Sequence, residues 1–129
     1  MFCYQCEQTA KGTGCDKLGV CGKRSEVSDL QDLLVYAVTG LSQVATAAKA
    51  QRKTVPPEIG RFACKALFST LTNVNFDAAD FLPLIAETAA KRDALAATID
   101  MTRPISESST STSRPVRSCP SIITTWMEN

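Results

Sequence analysis

Residues 28–50 read SDLQDLLVYAVTGLSQVATAAKA, and this stretch decides the fold class. Apolar side chains fall at Leu30, Leu33, Leu34, Ala37, Val38, Leu41, Val44, Ala45 and Ala48. The steps are threes and fours, the period of one helix face. Ser28 with Gln31 three residues later reads as a capping box at its start. The helix is predicted to stop near Lys53. Gly40 inside it costs about 1 kcal/mol relative to alanine, and a close helix contact would account for its presence.

Two more helices follow. Pro56 and Pro57 suit a helix start, where the missing N–H does no harm. Ile59, Phe62, Ala63, Ala66, Leu67 and Leu71 make the second stripe, ended by Asn73 and Asn75. The third helix begins between Asp77 and Asp80, with Phe81, Leu84, Ile85, Thr88, Leu95 and Ile99 as its stripe. Pro83 is tolerated if Asp80 is the cap and kinks the helix if Asp77 is. Asn73, Asn75 and Asp77 are read as helix-end and helix-start caps rather than as a polar catalytic triplet. The predicted core joins Leu34, Leu41, Phe62, Leu67, Phe81 and Ile85.

Outside this bundle the character changes. Residues 1–28 show neither helical nor strand period and are interrupted by Gly12, Gly14, Gly19 and Gly22. A loop of this length with no core of its own needs an internal staple such as a metal. Residues 101–129 are rich in Ser, Thr, Pro and Arg, a composition that cannot bury enough apolar surface to order itself. The organisation expected is therefore all-α: a Cys-rich binding loop at 1–28, a three-helix bundle at 29–100 and a disordered tail at 101–129.

Composition excludes several classes. With 14 basic and 13 acidic residues the net charge is +1, which points to no nucleic-acid partner and no acidic membrane surface. No stretch approaches the ~20 apolar residues of a membrane span. The start, MFCYQCEQTAKG, lacks a basic region followed by an apolar core, so no signal peptide is expected and a cytoplasmic, reducing location follows. There, clustered cysteines more often mean metal or redox chemistry than disulfides. The chain has no histidine, so a site that needs imidazole would need another chain.

Four of the six cysteines, Cys3, Cys6, Cys15 and Cys21, fall within nineteen residues as C-x2-C-x8-C-x5-C. A C-x2-C pair aims two sulfurs at one metal, and soft thiolates favour iron–sulfur clusters and zinc over hard cations. Structural zinc often uses two short pairs, and here the second pair is wider. On spacing alone an iron–sulfur cluster, structural zinc and disulfides all stay open. Phe2 and Tyr4 are read as shields of such a site. Lys11, Lys17, Lys23 and Arg24 make the loop mildly basic, a solvated face first and a counter-charge to a cluster second. Cys64, on the second stripe, is read as a small buried hydrophobe, and Cys119 in the tail as without a role.

MFCYQCEQTAKGTGC followed by GVCGK resembles the N-terminus of the hybrid-cluster (prismane) family, the hydroxylamine reductases. SDLQDLLVYAVTGLS, KALFSTLTNVNFD and KRDAL continue the resemblance, which covers about residues 1–99. The family implies a cytoplasmic oxidoreductase with two clusters, fed by an electron-donating reductase and acting on hydroxylamine or nitric oxide. Its short-spaced branch carries a cubane [4Fe–4S] cluster on the N-terminal cysteines. The x8 and x5 gaps match that branch and put Cys3, Cys6, Cys15 and Cys21 on the cubane ligands. The substrate-binding hybrid iron–sulfur–oxygen cluster of the family uses a His, two Glu and several Cys from later domains. The resemblance thus implies a fragment, with no residue of this chain in a catalytic role and an unrelated ending such as a frameshift, mis-splice or truncated gene model produces. A zinc- or cluster-stabilised helical module without catalysis is the alternative reading.

Overall fold

The computed structural model describes residues 1–102. The expected disordered tail, with Cys119, lies outside the described residues, apart from an exposed turn at Met101 and Thr102. A loop with one 3-10 turn, Ala10–Gly12, precedes three helices: α1, Ser25–Ala50; α2, Pro57–Ser69; and α3, Ala78–Ala96. Among the described residues the only β feature is an isolated antiparallel bridge between Cys3 and Cys15. The all-α expectation holds.

α1 starts one turn before the expected capping box. Arg24 is its N-cap, without a side-chain cap, and Glu26 sits in the first turn where the helix dipole favours negative charge. Ser28 and Gln31 are buried inside the helix. Gln31 is turned toward the loop and bonds there, so it cannot fold back as a cap. The helix ends at Ala50 in a Schellman arrangement. Lys53 N–H reaches Ala48 O at 2.9 Å and Arg52 N–H reaches Lys49 O at 2.9 Å, with Arg52 left-handed at φ 57°.

α2 takes Pro57 as its first residue. α3 is capped by Asp77, whose Oδ1 accepts from Ala79 N–H at 2.9 Å. Asn75 supports this cap: its Oδ1 accepts from Asp77 N–H at 2.8 Å and its Nδ2 donates to Asp80 Oδ2 at 3.0 Å. Capping thus accounts for Asn75 and Asp77, as the sequence suggested. The helix runs on through Pro83, which has no N–H to offer the Ala79 carbonyl one turn back.

α1 packs extensively against α3 and less against α2. Val27, Leu34, Val38, Leu41, Phe62, Ala66, Phe81 and Ile85 form the main core. A smaller cluster, Val44, Ala48 and Leu95, closes the far end. There Gln51 and Asp100 exchange two hydrogen bonds, 2.8 and 3.0 Å, tying the end of α1 to the chain beyond α3. Two expectations fail on α2. Leu67 is 42% exposed and Cys64 is exposed, because α2 presents only one narrow row, Ile59, Phe62, Ala63 and Ala66, to the core. Cys64 lies two residues beyond Phe62, on the opposite side of the helix. At Gly40 an added Cβ would meet only Arg92 Cδ at 3.7 Å, an ordinary contact. The close helix approach expected at Gly40 is therefore not what the packing requires.

By length and composition α1 is apolar enough to cross a membrane, contrary to the expectation that no stretch approaches that limit. A core helix passes the same test, and α1 has the contacts of one: Leu34 and Leu41 are fully buried.

Candidate metal centre

The loop is closed by its own cysteines. Cys3 N–H donates to Cys15 O at 3.1 Å and Cys15 N–H to Cys3 O at 3.0 Å. Residues 4–14 form the excursion between them, turning through Lys11 and Gly12 at φ 56° and 67°. Gly14, at φ 106°, lies under the Tyr4 ring, where a Cβ would come within 2.8 Å of Tyr4 Cε1. Any side chain at 14 would displace that ring.

A second turn carries Cys21. Gly19 N–H donates to Lys23 O at 2.8 Å and Gly22 N–H to Gly19 O at 2.8 Å. A Cβ at Gly19 would sit 3.1 Å from Cys21 Sγ and equally close to the Lys23 backbone N. The missing side chain leaves room beside this sulfur.

Cys15 is buried, Cys3 and Cys6 are half-buried and Cys21 is exposed; all four are free thiols. Among the described residues, no three Cys, Asp or Glu side chains converge as ligands of a single ion. A polynuclear cluster places its own metal and sulfide atoms between the thiolates, so its ligand sulfurs stand further apart. In donor chemistry the loop fits a thiolate-ligated group: four soft donors and, as follows, a fixed cation at Cys3.

That cation is Lys23, only 2% exposed. Its Nζ lies 2.6 Å from Gln31 Oε1, 2.9 Å from Gln5 Oε1 and 3.9 Å from Cys3 Sγ. An ammonium has three donors and no acceptor, and here all three partners are acceptors. Both amides are oriented from behind. Gln31 Nε2 donates to Asn75 O at 3.2 Å, and Gln5 Nε2 donates to Thr70 O. Since each amide nitrogen must face a carbonyl, each amide oxygen must face Lys23. The expectation that Lys23 belongs to a solvated basic face is thus overturned. Sequence reasoning also missed Gln5 and Gln31, whose glutamine type alone carries no sign of a buried cation.

Beside Lys23 and Cys3 opens a pocket of about 380 Å³, lined among others by Phe2, Gln5, Gln31 and Asp32. Burial, with help from nearby Asp29, pushes the Asp32 carboxyl above the usual carboxylate range, while Lys23 pulls it back. Phe2 and Tyr4 stack on each other with ring centroids 5.5 Å apart. At 63% and 66% exposed, both rings face solvent on their outer side.

A three-helix module carrying a four-cysteine loop, with a buried lysine at one sulfur, is the class these features define. The sequence model of the Prismane/CO dehydrogenase family matches residues 1–129, and the chain belongs to that family. It is 72% identical over 104 residues to a hydroxylamine reductase of Solidesulfovibrio magneticus, covering 81% of this chain and 19% of the relative. Hydroxylamine reductases of Maridesulfovibrio salexigens and Syntrophobacter fumaroxidans are 56% and 57% identical over 99 residues, covering 77% of this chain and 19% and 18% of theirs. The chain spans about a fifth of the length of these curated relatives.

Proposed function

We propose that this chain is the electron-entry segment of a hydroxylamine reductase-type oxidoreductase, holding a [4Fe–4S] cluster on Cys3, Cys6, Cys15 and Cys21. The observation that carries the reading is the pairing of Cys3 with Cys15 in a loop of free thiols, beside which Lys23 supplies a buried positive charge. Family membership favours iron–sulfur over zinc, and the resemblance of the x8 and x5 gaps to the family's short-spaced branch favours a cubane. When bound, the cluster supplies one-electron transfer.

The chain's own groups have simpler tasks. The four thiolates hold the cluster. The Cys3–Cys15 bridge and the turn from Gly19 to Lys23 fix the backbone that carries three of those thiolates. Lys23 sets a positive charge against Cys3. Cys3, Cys6, Cys15 and Cys21 would together saturate a four-iron cluster, so reduction of hydroxylamine or nitric oxide would fall to a further cluster with imidazole and carboxylate ligands. This chain contains no histidine to supply that imidazole. A reductase in the cytoplasm is the proposed electron donor.

The test is anaerobic. The reconstituted chain is expected to bleach with reduced viologen, regain colour with a one-electron acceptor, and form no ammonia from hydroxylamine. Ammonia formation that disappears in Cys3→Ser would contradict the relay role. A chain that takes up no iron would contradict the cluster itself.

A further inference from the structure

We propose that Lys23 is the positioning residue that sets the reduction potential of the cluster, by fixing a positive charge on the Cys3 side. The inference rests on the cluster assignment above. Its own basis is the geometry of a lysine buried to 2% with its ammonium nitrogen aimed at one ligand sulfur.

A long, strongly hydrated side chain is almost never buried to this degree unless paired. Lys23 is held by acceptors from three directions. Gln31 reaches it from α1 and is anchored on Asn75 O, in the connection between α2 and α3. Gln5 reaches it from the loop and is anchored on Thr70 O, at the end of α2. Both of those acceptors are uncharged. Of the ammonium's three hydrogen-bond partners, only a Cys3 thiolate would bring it a full negative charge; the Asp32 carboxylate also attracts it, without a hydrogen bond. Asp32 lies nearby, at the rim of the same pocket.

Such an arrangement acts on the electron. A thiolate-ligated cluster is anionic, and taking one electron from a donor adds one more negative charge. A cation held in a poorly solvated position favours the state with the greater negative charge, because attraction is stronger there than in water. The N–H···S contact works in the same direction, since hydrogen bonds to cluster sulfurs tune the potential. Lys23 therefore raises the potential, making the cluster an easier acceptor. No atom is transferred: the donor loses one electron and the cluster gains it.

The experiment is spectroelectrochemical titration of the anaerobically reconstituted full chain as wild type, Lys23→Gln, Lys23→Arg and Gln31→Glu. Lys23→Gln is expected to lower the reduction equilibrium constant on the order of tenfold, about 59 mV for one electron, while Lys23→Arg stays near wild type. Gln31→Glu gives up the donor to Asn75 O but sets a carboxylate against Lys23, offsetting its charge, and should move the potential in the same direction. It carries the test if Lys23→Gln does not load. Loss of the cluster from Lys23→Gln but not from Lys23→Arg, with helices intact by circular dichroism, also supports the charge. Clusters that form with unchanged potentials in both neutralising variants overturn this inference and leave the cluster assignment standing. A wild-type chain that binds no iron overturns the assignment, and the inference with it.

Discussion

Cys3 and Cys15 face each other across a two-residue antiparallel bridge, their backbones exchanging hydrogen bonds of 3.1 and 3.0 Å. The four cysteines of the loop nonetheless have unequal surroundings. Cys15 is pulled inward to 5% exposure while Cys21 stays at the surface.

Thiol chemistry on the metal-free chain should follow that order, since access limits reaction. Among the described cysteines, time-resolved alkylation followed by peptide mass spectrometry is expected to label Cys21 and Cys64 first and Cys15 last. Equal labelling of Cys15 and Cys21 would mean that the bridge does not hold in solution.

The core makes a prediction that separates two leucines. Leu34 is fully buried and Leu67 is 42% exposed. Leu34→Ala should lose about 2–5 kcal/mol, the range for large-to-small changes in packed cores. Leu67→Ala should cost much less, because its neighbours already meet solvent. Chemical denaturation of both variants checks this, and equal losses would mean that α2 buries a wider face than one row.

Asp32 gives a pH dependence with a definite sign. Its folded pKa lies above the ordinary 3.8, chiefly from burial and then from Asp29. The folded chain therefore holds this proton more tightly than the unfolded chain does, and stability falls as pH rises through that interval. Above it the penalty is fully present; below the ordinary value it vanishes. Asp32→Asn should accordingly raise the melting temperature of the metal-free chain at pH 7 and leave it unchanged near pH 3. A gain confined to acid pH would contradict the sign.

Much of this was legible in the residues, and the failures share a cause. Periodicity found all three helices, and local chemistry found the Pro57 start and the Asp77 cap, because those features depend on neighbours within one turn. The four-cysteine spacing is likewise local. The core grouping of Leu34, Leu41, Phe62, Phe81 and Ile85 was legible too, but the polar partners distant in sequence escaped. Gln31 looked like a cap until Lys23 and the Asn75 carbonyl claimed its amide. Lys23 looked solvated because burial depends on Gln5, Gln31 and the α2–α3 connection closing over it. Leu67 and Cys64 were misjudged because a stripe shows which side of a helix is apolar, not how much of it a neighbour covers. The exposed Leu67, Phe68 and Leu71 follow from the limited contact between α1 and α2.

The central claim is that Cys3, Cys6, Cys15 and Cys21 together hold one [4Fe–4S] cluster, and iron and acid-labile sulfide analysis tests it most directly. After anaerobic reconstitution of the full chain, the account expects iron and sulfide in equal amounts, at the level of one cubane per chain. Cys64→Ser should change nothing, since that thiol lies on the outer side of α2. Cys15→Ser and Cys21→Ser together should abolish the bound iron and sulfide. Zinc without iron, or a full complement of iron and sulfide in the double variant, would contradict the account.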